Sequence, residues 1–190
     1  MEFFKSFKVS EPSFMTLEAG KHIVRLVKYE ETNSFLKLSG ETKDNLPEWI
    51  DHCPQLAVTV VTTEKGKSGG LTHRFNGQGY LKVSELTEDQ LESGDYTDIG
   101  GYACITDDDG NYNRVPSEEH TKECANILNQ FANALKIPVK TKLEKGLDEA
   151  IANKIEFEIT VVNEPYEGKD QLRINRFKQI KAVVKADLDD

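Results

Sequence analysis

Apolar and polar residues alternate along several stretches of this chain, which is the pattern of half-buried β-strands. Residues 21–32 alternate in this way, and residues 55–63 form the clearest strand, Gln-Leu-Ala-Val-Thr-Val-Val-Thr-Thr. The glycine-rich turn 65–70 separates that strand from residues 71–75, which predicts a hairpin. A second and longer hairpin is predicted over residues 155–180.

The longest helical pattern lies at residues 117–137, where apolar residues recur every three or four positions. Ser117 is suited to begin this helix as its N-cap. One or two short helical turns are predicted over 84–98 and a short helix over 147–152. The sequence Asp-Asp-Asp-Gly at 107–110 predicts the turn of a further hairpin.

Six or seven strands joined mostly by hairpins, with one principal helix, predict a mainly β fold. The arrangement is typical of a small antiparallel barrel, closed or partly open, with inserted helical and hairpin segments. We expect an N-terminal lead-in segment at 1–19, one main domain at 20–183 and a mobile acidic tip at 184–190.

The net charge of −9 comes from one part of the chain. Residues 84–123 hold twelve acids and two bases, whereas residues 169–185 have a net charge of +5. The acidic total argues against a protein that coats duplex DNA, which needs a strongly basic surface. A groove for a single strand is compatible with it, because the local field near the groove matters more than the total charge.

Targeting signals and disulfides are not indicated. No run of eighteen apolar residues is present, and the N-terminus has no apolar core of signal-peptide length. We therefore expect a cytoplasmic protein with no membrane partner. Cys53, Cys104 and Cys124 are too few and too far apart for a disulfide framework or a zinc site.

Two motifs resemble ligand loops but lack an essential glycine. Gly66-Lys67-Ser68 recurs in phosphate-binding loops, yet Val61 stands where that motif needs its first glycine. The acids from Asp107 onward have calcium-loop spacing, yet Tyr112 occupies the position of the bend glycine. No nucleophile–base arrangement or metalloprotease motif is present, so we expect no enzyme, no cofactor and no metal site.

Basic and aromatic residues gather in the two hairpins. In the last strand, strict alternation would put Arg173, Asn175 and Phe177 on one face, where a ring stacks on a base while a cation holds a phosphate. The alternative, a solvated strand face with Phe177 in the core, stays open. The residues that predict nucleic-acid binding on this pattern are Lys65, Lys67, His73, Arg74, Phe75, Tyr80, Lys82, Lys169, Arg173, Arg176, Phe177 and Lys178.

Four segments also carry a family resemblance: Glu11-Pro12 with residues 17–26, the strand 56–62, the helix around 128–135, and the last hairpin over 157–177. In their order they resemble the single-stranded DNA-binding proteins of phages and mobile elements, which have an OB-fold. The resemblance implies a five-stranded barrel that protects displaced strands during DNA replication or recombination, in the bacterial host cell if the protein is phage-encoded. By position it adds Arg25, Lys28 and Tyr166 to the DNA-binding residues.

The same resemblance implies recruitment of replication or recombination proteins by an acidic C-terminal tip. Asp187, Asp189 and Asp190 match the charge of that tip, but the aromatic residue often found at its end is missing. Self-association into a homodimer is left open.

The predicted function is sequence-tolerant binding and protection of single-stranded DNA by phosphate neutralisation and base stacking. The alternative is an acidic protein-interaction module, namely an adaptor, an inhibitor or a DNA mimic, that uses residues 84–123 and has no nucleic-acid ligand. A metal-dependent nuclease and a structural protein without a ligand are further alternatives.

Overall fold

The computed structural model describes residues 16–34, 53–110, 112–166 and 169–180. These residues contain eight strands and three α-helices. They are β1 (Gly20–Ser34), β2 (Cys53–Thr62), β3 (Gly70–Asn76), α1 (Glu88–Glu92), β4 (Thr97–Ile99), β5 (Tyr102–Thr106), β6 (Tyr112–Arg114), α2 (Glu118–Ala134), α3 (Leu143–Ala152), β7 (Glu156–Tyr166) and β8 (Lys169–Gln179).

The main sheet has five strands in the order β3-β2-β1-β7-β8, and every neighbouring pair is antiparallel. The predicted mainly β class is confirmed. Both predicted hairpins are present, β2 with β3 and β7 with β8. The lead-in up to residue 15 and the acidic tip lie outside the described residues.

One face of the main sheet is covered by helices, because its inward residues are apolar. Val24 and Leu26 of β1, Val58 and Val60 of β2, and Phe157 of β7 are all almost fully buried. From the principal helix, α2, Phe131 enters the same core, and α3 adds Leu147 and Ala150. The other face of the sheet therefore points away from the helices, and we call it the outer face.

Helix α2 begins where the sequence predicts, since the Ser117 hydroxyl accepts a hydrogen bond from the His120 amide at 3.3 Å. Helix α3 is tied to β1 by Tyr29, whose hydroxyl donates to Asp148 at 2.8 Å. That bond and the nearby carboxylates raise the pKa of Tyr29 to about 12.

Strands β3 and β8 stand at opposite ends of the strand order, and no hydrogen-bonded pairing joins them within the described residues. Their inward side chains nevertheless meet over α2, because the ring centroids of Phe75 and Phe177 are 5.4 Å apart and each ring contacts Phe131. The sheet is therefore strongly curled. A barrel closed by hydrogen bonds stays a prediction.

Residues 77–116, which we call the insert, form a small unit between β3 and α2. The insert contains a 3₁₀ turn at Val83–Glu85, the short α1 and a three-stranded sheet in the order β4-β5-β6. Its predicted hairpin around Asp107–Gly110 and its predicted helical turns are present. None of the described helices has the length and apolar character needed to cross a membrane.

Gly79 fixes the insert against the first turn of α2. The Gly79 amide donates to the Thr121 hydroxyl at 3.0 Å, and its carbonyl accepts from the Ser117 amide at 3.0 Å. A Cβ on Gly79 would lie 2.3 Å from the carbonyl carbon of His120, so only glycine fits without displacement. The His120 ring adds a contact to the carboxylate of Glu85 at 2.7 Å.

Candidate nucleic-acid interface

The register of β1, β2 and β3 places three predicted DNA-binding cations on the outer face. Arg74 lies opposite Ala57, and Lys28 lies opposite Thr59. Arg25 follows one row further along, opposite Val61 of β2. Directly paired residues on neighbouring strands point to the same side of a sheet, and these partners alternate with the inward Val58 and Val60. All three cations therefore point away from the helices.

Two uncharged hydrogen-bonding pairs lie on the same face, one among these cations and one just beyond Arg74. The Thr59 and Thr72 hydroxyls share a hydrogen bond of 3.1 Å across β2 and β3. Two rows away, Gln55 donates through Nε2 to Asn76 Oδ1 at 2.7 Å. The outer face of β2 and β3 therefore carries polar side chains in these two rows, which can hydrogen-bond to an extended backbone that approaches closely. The sequence analysis did not name these four residues as binding candidates. That they face each other in pairs follows from the register of the β2–β3 hairpin.

The turn between β2 and β3 carries two further predicted cations, Lys65 and Lys67, and both are exposed. Lys67 is paired with Glu64 at 3.2 Å. The pKa of Glu64 lies below its ordinary value, chiefly because of its hydrogen bond from Lys67. Lys28 is likewise paired with Glu30 at 3.1 Å. Exposed ion pairs of this kind stabilise a fold weakly, so a phosphate can replace the carboxylate at small cost.

The three described cations of β8, Arg173, Arg176 and Lys178, are exposed on the outer face of that strand. Arg173 donates to Glu164 at 3.0 Å. It also lies close enough to His73 of β3 to help lower the pKa of that histidine. Arg173 therefore lies toward β3, across the gap between the two ends of the strand order.

The predicted stacking role of Phe75, Phe177 and His73 is wrong for the described structure, because all three rings are buried in the core. Phe75 is 3% exposed, Phe177 7% and His73 9%. His73 meets Phe177 edge to face at 5.4 Å. Burial, with Arg173 as a second cause, lowers the pKa of His73 to about 4. The ring is therefore neutral at pH 7.

A β-bulge explains why the face of Phe177 was mispredicted. In the pairing of β7 with β8, Thr160 faces Arg176 and the next residue, Val161, faces Ile174, so Asn175 has no partner. An extra residue shifts the phase of alternation by one. Ile174 and Phe177 consequently both point inward, and the sequence-based pairing of Phe177 with Arg173 on one face fails.

Tyr80 is also buried, and it lies in the insert rather than on the main sheet. It is 5% exposed, and the guanidinium of Arg114 stacks on its ring at 4.0 Å. Lys82 is exposed, but its backbone pairs with Tyr102 of the insert. Neither residue joins the cations of β1 to β3. Arg114, buried against two tyrosine rings, was not singled out by the sequence.

Tyr166 and Lys169 face each other at the tip of the β7–β8 hairpin, and their side chains lie outside the described part of the structure. Within the described residues, no three histidine, cysteine, aspartate or glutamate side chains come together in a way that would hold a metal ion.

No model of a known protein family matches the chain, and no curated protein is significantly similar to it.

Proposed function

We propose that this protein binds single-stranded DNA on the outer face of β1, β2 and β3, with little dependence on sequence. The observation that carries the proposal is the position of Arg25, Lys28 and Arg74 on that face, around the Thr59–Thr72 pair. In a cell this activity would protect displaced strands during DNA replication or recombination.

The layout of the main sheet supports the proposal. Five antiparallel strands in the order β3-β2-β1-β7-β8, with α2 before the fourth strand, resemble the OB-fold. That fold is a partly open Greek-key barrel, and it binds oligonucleotides on its second and third strands. The corresponding strands here, β2 and β3, carry Arg74 and the polar pairs.

The structure changes the expected mechanism. Four rings predicted to stack on bases, His73, Phe75, Tyr80 and Phe177, are buried, so binding depends on phosphate contacts and hydrogen bonds. Three cations that neutralise three phosphates of a single strand give a slope of about −2 in log K against log salt. Without stacking, each nucleotide contributes less affinity, and a larger share of the affinity is sensitive to salt.

Discrimination against duplex DNA follows from charge. The net charge is −9, and residues 84–123 alone carry −10. The insert is bonded to the first turn of α2, and α2 packs against the inward face of the sheet, so a single strand on the outer face lies away from that attachment. A rigid duplex lies over a wider surface and meets more of the acidic residues.

The test is fluorescence anisotropy of labelled oligo-dT and of a matched duplex over a range of salt concentrations. The wild type is compared with Arg25→Gln/Lys28→Gln/Arg74→Gln and with a control of equal charge change, Lys122→Gln/Lys142→Gln/Lys145→Gln on the helix side. We expect the first variant to lose most of its affinity and the salt slope to fall toward zero. Equal losses in both variants, or equal binding of the duplex, would contradict the proposal.

A second candidate function is an acidic protein-interaction module. Two large apolar side chains are exposed within the acidic insert, Leu91 at 51% and Ile105 at 45%. Exposed apolar groups ringed by acids are typical of a surface that contacts a basic partner. Replacement of the exposed acids Glu88, Asp89 and Glu92 by lysine should abolish binding of the basic partner if this alternative holds. If the DNA-binding proposal holds, the same replacement should not weaken binding of single-stranded DNA.

A further inference from the structure

A cleft of about 470 Å³ opens where β1, β2 and β3 end over the two long helices. Leu56, Leu128 and Leu143 form its apolar wall on the helix side, where Glu31 also lies because it faces Leu56. Gln55 and Asn76 form its polar rim at the outer face. The volume lies in the range typical of small-molecule sites, which combine apolar walls with a few placed polar groups. No lysine or arginine is among its described lining residues.

The polar side of the cleft presents a donor next to an acceptor. Gln55 uses Nε2 to donate to Asn76 Oδ1 at 2.7 Å. This leaves the Gln55 Oε1 acceptor and the Asn76 Nδ2 donor, and neither has another hydrogen bond within the described structure. A neighbouring donor and acceptor are the complement of the hydrogen-bonding edge of a nucleobase, which also has a donor beside an acceptor.

The charge of the cleft determines which part of a nucleotide it can accept. The carboxylate of Glu31, with no cation beside it in the described lining, disfavours phosphate. The same carboxylate accepts a hydrogen bond from an exocyclic amine. A flat, neutral heteroaromatic ring with an amine has a face for the apolar wall and hydrogen-bonding groups for the amide pair at the rim and the carboxylate on the helix side.

The cleft is continuous with the surface that carries the proposed function. Asn76 lies two residues beyond Arg74 on β3, and both residues are on the outer face. A strand held by Arg74 and Lys28 therefore reaches the rim of the cleft within one or two nucleotides, and its next base enters by turning around the end of the sheet toward Leu128 and Leu143.

We propose that the cleft binds one base of the single strand and prefers a base with an exocyclic amine, such as cytosine, over thymine. This inference rests on the proposed function and adds a base preference at one position of an otherwise sequence-tolerant site. The preference comes from one additional hydrogen bond to the Glu31 carboxylate, so we expect about fivefold tighter binding of oligo-dC than of oligo-dT.

The experiment compares the affinities of oligo-dC and oligo-dT at pH 7.5 for the wild type, for Glu31→Gln and for Gln55→Met. Glu119→Gln, an exposed change of the same charge on α2, is the control. Because a general charge effect alters both affinities equally, the measured quantity is their ratio. Urea unfolding of each variant shows that the fold is kept.

We expect Glu119→Gln to keep the wild-type ratio of oligo-dC affinity to oligo-dT affinity. This ratio should fall to nearly one in Glu31→Gln and should also fall in Gln55→Met. Tight but equal binding of both oligonucleotides by the wild type would overturn the cleft proposal and leave the proposed function intact. A preference that persists in Glu31→Gln and Gln55→Met would also overturn it. Failure of the folded wild type to bind either oligonucleotide would overturn both proposals.

Discussion

The rings of His73 and Phe177 meet edge to face with their centroids 5.4 Å apart, although they belong to strands at opposite ends of the sheet order. Phe75 and Phe131 complete the cluster around Phe177, at 5.4 and 5.2 Å. Side-chain packing over α2, rather than a ladder of hydrogen bonds, therefore holds β3 and β8 together in the described structure.

Replacement of Phe177 by alanine should destabilise the protein, because it removes a ring that joins β3, β8 and α2. Loss of a buried phenylalanine costs about 3–5 kcal/mol. Lys178→Ala, at the neighbouring exposed position, is the control and should change stability by less than about 0.5 kcal/mol. Urea unfolding measures both. If Phe177→Ala keeps wild-type stability but loses DNA binding, the ring is not a core residue.

Acid should weaken the fold through His73. The pKa of His73 is about 4 in the folded protein and 6.5 ordinarily, so the unfolded chain takes up the proton first as the pH falls. The contribution of the neutral His73 to the free energy of unfolding is fully present above pH 6.5. It is lost progressively as the pH falls toward 4, by about 3 kcal/mol in total. His73→Phe should remove this slope, measured as the free energy of unfolding at pH 7.5, 5.5 and 4. An unchanged slope would contradict the assignment.

His120 should have the opposite pH dependence. Hydrogen bonds to Glu123 and then to Glu85 raise its pKa above 6.5. The contribution of this histidine to stability is therefore complete below pH 6.5 and is lost as the pH rises through the raised pKa. Amide hydrogen exchange in the insert should accelerate over that interval, and salt should reduce the effect because the groups are close to solvent.

The variant His120→Gln tests this assignment. It should make amide exchange in the insert independent of pH over the same interval, after correction for the intrinsic rate. The pKa of Glu85 is lowered, chiefly by the Lys82 backbone amide, so this carboxylate stays ionised well below pH 6.5. An insert whose protection rises with pH would show that His120 does not hold it.

Two glycines should respond differently to replacement by alanine. At Gly79 the added Cβ would lie 2.3 Å from the backbone of His120, so the insert and α2 must separate. At Gly146 it would lie 2.5 Å from Ile137 Cγ2 and 2.9 Å from Ile137 Cδ1, so the crowding there is with side-chain atoms rather than backbone. In α3, alanine also gains about 1 kcal/mol of helix propensity over glycine, which offsets part of the crowding.

We therefore expect Gly79→Ala to destabilise the protein by about 1–3 kcal/mol and Gly146→Ala by clearly less. Thermal unfolding of the two variants beside the wild type provides the comparison. A larger loss for Gly146→Ala would show that Ile137 is held more rigidly than the α2 backbone.

Local patterns were sufficient for the elements and for part of the site. Alternation predicted β2, the turn signal at 65–70 predicted its hairpin with β3, and Ser117 predicted the start of α2. The outward position of Arg74 follows from that hairpin alone. The buried face of Tyr80 did not follow, because its partner Arg114 lies in another part of the insert and is brought to it by β6.

The amino-acid sequence by itself determined the mainly β class, the principal helix and the basic character of the strands, because these depend on periodicity and composition within a few residues. The tertiary structure decided which faces those residues occupy. Asn175, an extra residue opposite β7, turns Phe177 inward, and the curl of the sheet brings His73 to it. The inward position of Phe177 and its contact with His73 do not follow from neighbouring residues in the sequence. A bulge and the approach of two sheet edges both depend on pairing between distant segments.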